Sequence, residues 1–555
     1  MRRGVSVVNK KVCSFPILFA LLALLIGTCA VVFPASAQAA PTSTGSITVS
    51  GTVASSYDAY QIFSANVIDG DNDAKIATDL AWVSDAVRDA ALPVLHSAGM
   101  SKSQTTAQEA AEWLNNDSHL TSALSAQLAR SLQSSVAVSE ALKAGTTAEL
   151  PCGYWLIVAD DDAISQGEAG TAPIMVLVGG SAVTVKPKAA TPKVFKHVLE
   201  DSAVAWQKAA DATVGDDLYW RLSATVPAGL AAYDTYAVQF VDTMSAGLDP
   251  SKVAASMRVY VAAGADGGFD AVQTGRVGTE PAKGWTDITA QCGVSVDGKT
   301  FTVRTGDLIA ALGGADAFTA GARVVAVYNA PLNSACNHGI AKGNPNEVYL
   351  RYPRSPFADQ SGDAGFARTP SDDACAYTWD LALTKRGSDG DKPLAGAVLS
   401  IADDRGRTLA ADGTWDAEGK ATVTTGEDGR VTVSGVDSGK LEVRELKAPK
   451  GYTAFEGSRS VTVKAEGLDV DQVAAAKPKL TITAESPLRA DRSTGSLEAS
   501  IINTPTGTPP SITTGGFMPL TGDMAMYAVA AAAVAGAALI VVALLIKRGG
   551  GSHKE

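Results

Sequence analysis

Trp379-Asp380-Leu381-Ala382-Leu383-Thr384-Lys385 decides how the last third of the chain is read. Side chains alternate between the faces of a β-strand, so Trp379, Leu381, Leu383 and Lys385 share one face. Leu441, Val443 and Glu445 form a second such row, and Ile501 and Asn503 a third. Each row starts apolar and ends polar, which aims an amine, a carboxyl and an amide at one core. Strand ends whose heads reach water explain any one of them. Three together point to chemistry, because burying ionised groups without compensation is costly. Desolvation lowers the pKa of a lysine and raises that of a carboxylic acid. A neutral Lys385 can then attack the side-chain carbonyl of Asn503, while Glu445 polarises that carbonyl and shuttles protons as ammonia leaves. The product is an intramolecular isopeptide bond, made once per molecule. The chain is therefore expected to process itself and not to be an enzyme with turnover.

Around these rows, residues 376–505 repeat short alternating strands and polar turns. One turn, Gly426-Glu427-Asp428-Gly429, lies between strand-like 421–425 and 430–434 and reads as a hairpin. Residues 193–356 are also mainly β, with Leu218, Trp220, Leu222, Ala224 and Val226 alternating. Residues 42–187 open on strand-like Ser46–Ser50 and return to strands at Tyr154–Val158 and Ile174–Val178. Between these lies a helical insertion. Thr106 and Glu109 form a capping box, and Leu120, Leu124, Leu128 and Leu132 mark one helix face. The expectation is a mainly β chain of three sandwich modules in series, the first with a helical excursion. That agrees with 555 residues, which predict about three to five domains.

The two ends are not part of that fold. Arg2, Arg3, Lys10 and Lys11, an apolar run over 15–33 and small residues at 35–40 make residues 1–39 a secretory signal peptide. Residues 525–546 carry no formal charge and are long enough for a transmembrane helix; a short cytoplasmic tail, 547–555, begins with Lys547-Arg548. Thr504–Gly516 is rich in Pro, Gly and Thr, and 506–517 reads as a linker. With both ends removed, residues 40–521 hold 39 Lys+Arg and 56 Asp+Glu, a net of −17. Such a body is soluble and is no partner for nucleic acid.

Cys13 and Cys29 leave with the signal peptide, and Cys152, Cys292, Cys336 and Cys375 remain in an oxidising compartment. Cys292–Cys336 is the favoured disulfide, both lying in one module. Asp69-Gly70-Asp71-Asn72-Asp73 opens like a calcium loop, but Ala74 and Leu80 stand where Gly and Glu are required, so it reads as a surface turn. There is no H-E-x-x-H, G-x-S-x-G or P-loop pattern. No metal and no cofactor is expected.

Met518-Pro519-Leu520-Thr521-Gly522, immediately before the final span, resembles the L-P-x-T-G sorting signal of Gram-positive surface proteins, with Met for Leu. The resemblance implies that a sortase cuts between Thr521 and Gly522 and holds Thr521 as a thioester until an amine attacks. Glu445-Leu446-Lys447-Ala448-Pro449-Lys450-Gly451-Tyr452 resembles the E-box of pilin subunits, with Leu446 for the usual Thr. With Lys385 and Asn503, it is similar to the B-type immunoglobulin-like domain of a collagen-binding surface protein. The whole layout resembles the major backbone pilin of sortase-assembled Gram-positive pili, and implies tandem immunoglobulin-like sandwiches.

In that family a lysine on the first strand of the second domain bonds an asparagine near its end, assisted by an aspartate. Lys196 and Asp242 match, but Arg354 stands where the amide acceptor is expected. An arginine cannot accept an amine, so an Asp242–Arg354 ion pair is the alternative to a second bond. The pilin motif W-x-x-x-V-x-V-Y-P-K finds a partial match in Val183-Thr184-Val185-Lys186-Pro187-Lys188, with Gly179 and Lys186 at the Trp and Tyr positions. Lys188 is therefore the expected inter-subunit nucleophile, with Lys186 and Lys193 as alternatives. The implied function is the shaft subunit of a wall-anchored pilus supporting adhesion. Its partners would be sortase, identical subunits, peptidoglycan and a host or bacterial surface ligand. A wall-anchored adhesin, or a tip or basal pilin, is the competing reading.

Overall fold

Alternation governs the first module. In the strand Ser56–Asp69, Tyr57 and Ala59 face one way and Tyr60 and Ile62 the other. The first pair packs with Trp155, Ile157, Ile47 and Val49, closing a three-stranded sheet (Thr147–Pro151, Thr44–Val49, Val183–Val185) over a five-stranded one. The second pair is covered by three helices, Asp85–Ser97, Ala107–Leu114 and Ser122–Ser135. A strand sheet apolar on both faces needs a cover on both, and the helical insertion supplies the second. The expected capping box is present: Glu109 N–H donates to Thr106 Oγ1 at 3.2 Å, and Thr106 N–H to Glu109 Oε2 at 3.0 Å. Leu124, Leu128 and Leu132 are buried as the four-residue spacing predicts. Leu120 is exposed because it precedes the cap, Thr121.

The computed structural model describes residues 43–71, 74–116, 118–165, 167–187, 191–264, 284–491 and 497–506. The expected signal peptide, Lys188, the sorting motif 518–522, the span 525–546, the tail 547–555 and the linker beyond Thr506 lie outside these residues. Among the described residues no helix is long and apolar enough to cross a membrane.

The middle module is two sheets around one core. One runs in the order Ala205–Gln207, Val194–Glu200, Tyr219–Thr225, Arg323–Asn329, Arg258–Ala262, Trp285–Asp287. The other runs Ala209–Asp211, Asp372–Tyr377, Asn344–Pro353, Gln239–Met244, Thr300–Arg304, Gly293–Asp297. Trp220, Phe240, Phe301 and Tyr328 fill the space between them. Strand Asp372–Tyr377 belongs to this module's sheet, and Trp379 begins the next.

In the last module, Trp379–Gly387 lies between Arg430–Val436, antiparallel, and Leu497–Pro505, parallel. First and last strands of the module are thus neighbours. The facing sheet carries Gly439–Lys447 between Val398–Ala402 and Ser458–Glu466. The Gly426–Gly429 turn is not a hairpin. Val423–Thr424 pairs with Val398–Ala402 in one sheet, whereas Arg430–Val436 pairs with Trp379–Gly387 in the other. Its Asp-Gly pair lets the chain cross between layers: Gly429 takes φ +73°, and an added Cβ would stand 2.8 Å from Lys385 O. Periodicity finds the two flanking strands but cannot tell which sheet each joins.

The middle and last modules meet at a polar joint. Val214 N–H donates to Gly435 O at 2.8 Å, and Ser438 N–H donates to Asp211 Oδ2 at 2.9 Å. Arg407 forks onto Asp216 at 2.6 and 2.7 Å and also holds Asp403.

The expected Cys292–Cys336 disulfide is not formed; Cys152, Cys292, Cys336 and Cys375 are all free thiols. Cys292 precedes Gly293, which pairs with Arg304, opposite Gln239. Cys336 packs against Gly247, beyond Met244 at the far end of the strand Gln239–Met244. Five residues of strand separate the two ends, roughly 16 Å at ~3.3 Å per residue. Bridged cysteines need Cα atoms within about 7 Å, so sharing a module was not sufficient.

Candidate functional site: two buried lysine sites

The three rows of the last module converge as their alternation predicts. Trp379, Leu381, Leu383 and Lys385 are each wholly buried, and Glu445 and Asn503 nearly so. Lys385 and Asn503 come from the adjacent parallel strands, where Lys385 is level with Ile501 and Asn503 with Gly387. Glu445 reaches across from the facing sheet. The Lys385 ammonium donates to Asn503 Oδ1. Glu445 Oε1 lies 3.4 Å from Lys385 Nζ and accepts from Asn503 Nδ2 at 2.9 Å. One carboxylate oxygen therefore touches both the amine and the amide nitrogen. Burial pulls the Lys385 pKa down to about 8, against the opposing pull of Glu445.

Two supports were not apparent in the sequence. Phe455 N–H donates to Glu445 Oε2 at 3.2 Å, and its ring lies 5.8 Å from Lys385 Nζ. Tyr452 pairs with Pro505 and donates its hydroxyl to Asp389 at 2.8 Å, clamping the end of the last strand. The Gly451-Tyr452 ending of the E-box-like stretch was the available signal.

The middle module holds a second site of the same composition. Lys196 and Asp242 are wholly buried and form an ion pair between the two sheets. The Lys196 ammonium also donates to Tyr328 Oη at 2.9 Å. Tyr328 donates to Asp242 Oδ2 at 3.1 Å and accepts from Asn346 Nδ2 at 2.8 Å. Asn346 Oδ1 and Asp242 Oδ1 are buried without hydrogen-bond partners. Burial lowers the Lys196 pKa to about 8, although Asp242 opposes the shift. Burial likewise raises the Asp242 carboxyl, with Lys196 opposing.

The amide at this site is Asn346, which sequence reading missed by looking near Arg354. The strand Asn344–Pro353 puts Asn346 opposite Met244, two residues along from Asp242 and on the same face. Arg354 lies elsewhere: its guanidinium reaches Asp161 O at 3.4 Å, and its carbonyl accepts from Gly170 N–H at 2.7 Å, both in residues N-terminal to the middle module. The Asp242–Arg354 ion pair is thus replaced by Asp242–Lys196.

Lys186, unlike Lys188, lies within the described residues and lines a cleft of about 550 Å³ between the first and middle modules. Asp69, the start of the calcium-like stretch, instead binds Lys75 at 3.3 Å and Ser181 N–H at 2.8 Å, pinning two loops. Among the described residues no His/Cys/Asp/Glu group is arranged to hold a metal.

Residues 380–477 match the family described as SpaA, prealbumin-like fold domain; the match includes Lys385 and Glu445 and ends before Asn503. The trypsin-resistant surface T6 protein of Streptococcus pyogenes serotype M6 is 29% identical over 143 residues, covering 24% of this chain and 24% of that protein. Among solved structures, the T6 backbone pilin of the same serotype covers 84% of this chain and 98% of its own, at 17% identity and a TM-score of 0.45. The chain is similar to backbone pilins. A further pilin, SpaA of Corynebacterium diphtheriae, covers 83% of this chain and 99% of its own at 15% identity and a TM-score of 0.38. At such scores the pilin overlays decide nothing about function, and the chain spans about a quarter of the T6 protein it matches in sequence.

Proposed function

We propose that this chain is the shaft subunit of a sortase-polymerised, wall-anchored surface pilus, built of three immunoglobulin-like sandwich modules, the middle one closing with the strand Asp372–Tyr377 and the last beginning at Trp379. One observation carries the reading: a buried lysine, a buried amide and a carboxylate that touches both, on the first and last strands of a module. In the reaction, Lys385 Nζ bonds to Asn503 Cγ and the Cγ–Nδ2 bond breaks. Glu445 Oε1 takes the proton from Nζ and delivers it to Nδ2, which leaves as ammonia. The carboxylate serves the leaving nitrogen, while the carbonyl oxygen is met by the amine itself. The bond would join neighbouring parallel strands, so tension on the module's ends would load an amide and not a ladder of hydrogen bonds.

The proximity of Lys196, Asp242 and Asn346 supports a second bond of the same type in the middle module. Between subunits, Lys188 would attack the Thr521 thioester held by sortase, with Lys186 and Lys193 as alternatives. The final fibre would be fixed to peptidoglycan. Adhesion to host or bacterial surfaces fits a pilus.

Intact mass of residues 42–516 tests the core of this reading. Each bond releases one ammonia, ~17 Da, so a loss of ~34 Da is expected. A chain of full mass, with both lysines open to amine reagents, would exclude it. Polymerisation is tested separately: Lys188→Arg should abolish the high-mass ladder while leaving monomer. An unchanged ladder would move the role to Lys186 or Lys193, and a wild type with no ladder would favour the adhesin reading.

A further inference from the structure

The two lysine sites differ in one respect that their shared chemistry does not require. In the last module Glu445 spans directly from amine to leaving nitrogen. In the middle module the acid is an aspartate, one methylene shorter, and a tyrosine hydroxyl stands among all three groups. Tyr328 Oη lies 2.9 Å from Lys196 Nζ, 3.1 Å from Asp242 Oδ2 and 2.8 Å from Asn346 Nδ2. Asp242 is also close enough to the Asn346 amide for that amide to favour its charged form.

We propose that Tyr328 is a catalytic residue of the Lys196–Asn346 reaction, relaying the proton from Asp242 to the departing amide nitrogen. This rests on the reading of Lys196 and Asn346 as bond partners. The steps balance as follows. Neutral Lys196 adds through Nζ to Asn346 Cγ. Protonated Asp242 gives its proton to Tyr328 Oη as Tyr328 gives its own to Nδ2. The Cγ–Nδ2 bond breaks and ammonia leaves. Asp242, now a carboxylate, takes the surplus proton from Nζ. One amide and one ammonia result, Asp242 and Tyr328 regain their starting protons, and no oxidant or cofactor is consumed.

The surroundings suit a relay. The Tyr328 ring packs edge-on against Phe301 with centroids 4.7 Å apart and is wholly buried, so the hydroxyl has no solvent to compete for its proton. Burial, and then the neighbouring Asp242, hold its pKa well above the ordinary phenol value, which keeps a proton on the hydroxyl. The unpartnered Asn346 Oδ1 leaves the carbonyl free to rehybridise as the amine adds.

Tyr328→Phe retains the ring and removes the hydroxyl that touches Lys196, Asp242 and Asn346. Full-length chain made by cell-free synthesis would be followed by intact mass and by mapping of the cross-linked Lys196–Asn346 peptide. The Lys385–Asn503 bond serves as an internal reporter of folding of the last module, since Tyr328 is not part of that site. Wild type should lose ~34 Da, whereas the variant should lose ~17 Da promptly and the second ammonia at least ~100-fold more slowly. A variant that forms the Lys196–Asn346 peptide at the wild-type rate overturns the relay. If wild type itself lacks that peptide, the underlying bond assignment fails, and the relay with it. Should the variant not fold, 3,5-difluorotyrosine placed at 328 keeps the shape and makes the hydroxyl a stronger acid. An altered pH dependence of the second loss is then expected, and an unaltered one overturns the proposal.

Discussion

Glu445→Gln is the most informative perturbation of the last module. It preserves the shape of the side chain and can still accept from Asn503 Nδ2, but it cannot take and return a proton at the 3.4 Å separation from Lys385 Nζ. The variant is expected to fold with lysine and asparagine adjacent and unjoined. The missing bond would have closed a loop of 118 residues between Lys385 and Asn503. Chain-entropy arguments for a cross-link of that span give about 5 kcal/mol at 25 °C, arising from the unfolded ensemble it no longer restricts. A domain of about 100 residues shifts by roughly 4–8 °C per kcal/mol, so melting of this module should fall by tens of degrees. Intact mass and calorimetry on the same sample give the test. Retention of the ~17 Da loss assigned to Lys385 and Asn503 would refute the proton-carrying role of Glu445. A mass increase with unchanged melting would refute the argument that closure of the strand pair stabilises the module.

Three further outcomes are expected. Burial, then Asp211, Asp201 and Glu200, push the Asp437 carboxyl up to about 11 at the joint between middle and last modules. The folded chain then keeps a proton that the unfolded chain releases above about pH 4, so this group's contribution is complete in acid and declines as pH rises toward 11. Asp437→Asn should remove that slope and raise stability at pH 7 by at most roughly 4 kcal/mol; urea unfolding at pH 5, 7 and 9 with wild-type slope unchanged would contradict it. Arg407→Ala removes the fork onto Asp216 and should cost about 1–3 kcal/mol at the joint. Small-angle scattering should record a wider range of module orientations with both cross-links intact, and an unchanged envelope would show that backbone pairing alone fixes the joint. Gly153→Ala, at φ +144° with Phe63 O only 2.0 Å from the added Cβ, should unfold the first module at lower temperature, and an unchanged melt would count against that close approach.

Period-two alternation made the inward rows ending in Lys385, Glu445 and Asn503 legible, because a strand's pleat fixes which side chains share a face whatever the fold around them. The same logic put Lys196 and Asp242 indoors, and helix periodicity with Thr106–Glu109 located the insertion. Pairing between distant strands has no such local signature. Asn346 escaped notice because its place beside Lys196 depends on which strand of the second sheet lies across the core. The Gly426–Gly429 turn looked like a hairpin because the sequence carries φ preferences but not the layer to which the next strand goes. The cysteines carry no direction at all, and only the folded strands put Cys292 and Cys336 at opposite ends. Amino-acid order by itself determined the β character, the inward polar residues and the kind of chemistry they can perform. Tertiary structure alone decided that Asn346 is the amide of the middle module, since Lys196 meets that group through Tyr328, a residue 132 positions away in the chain.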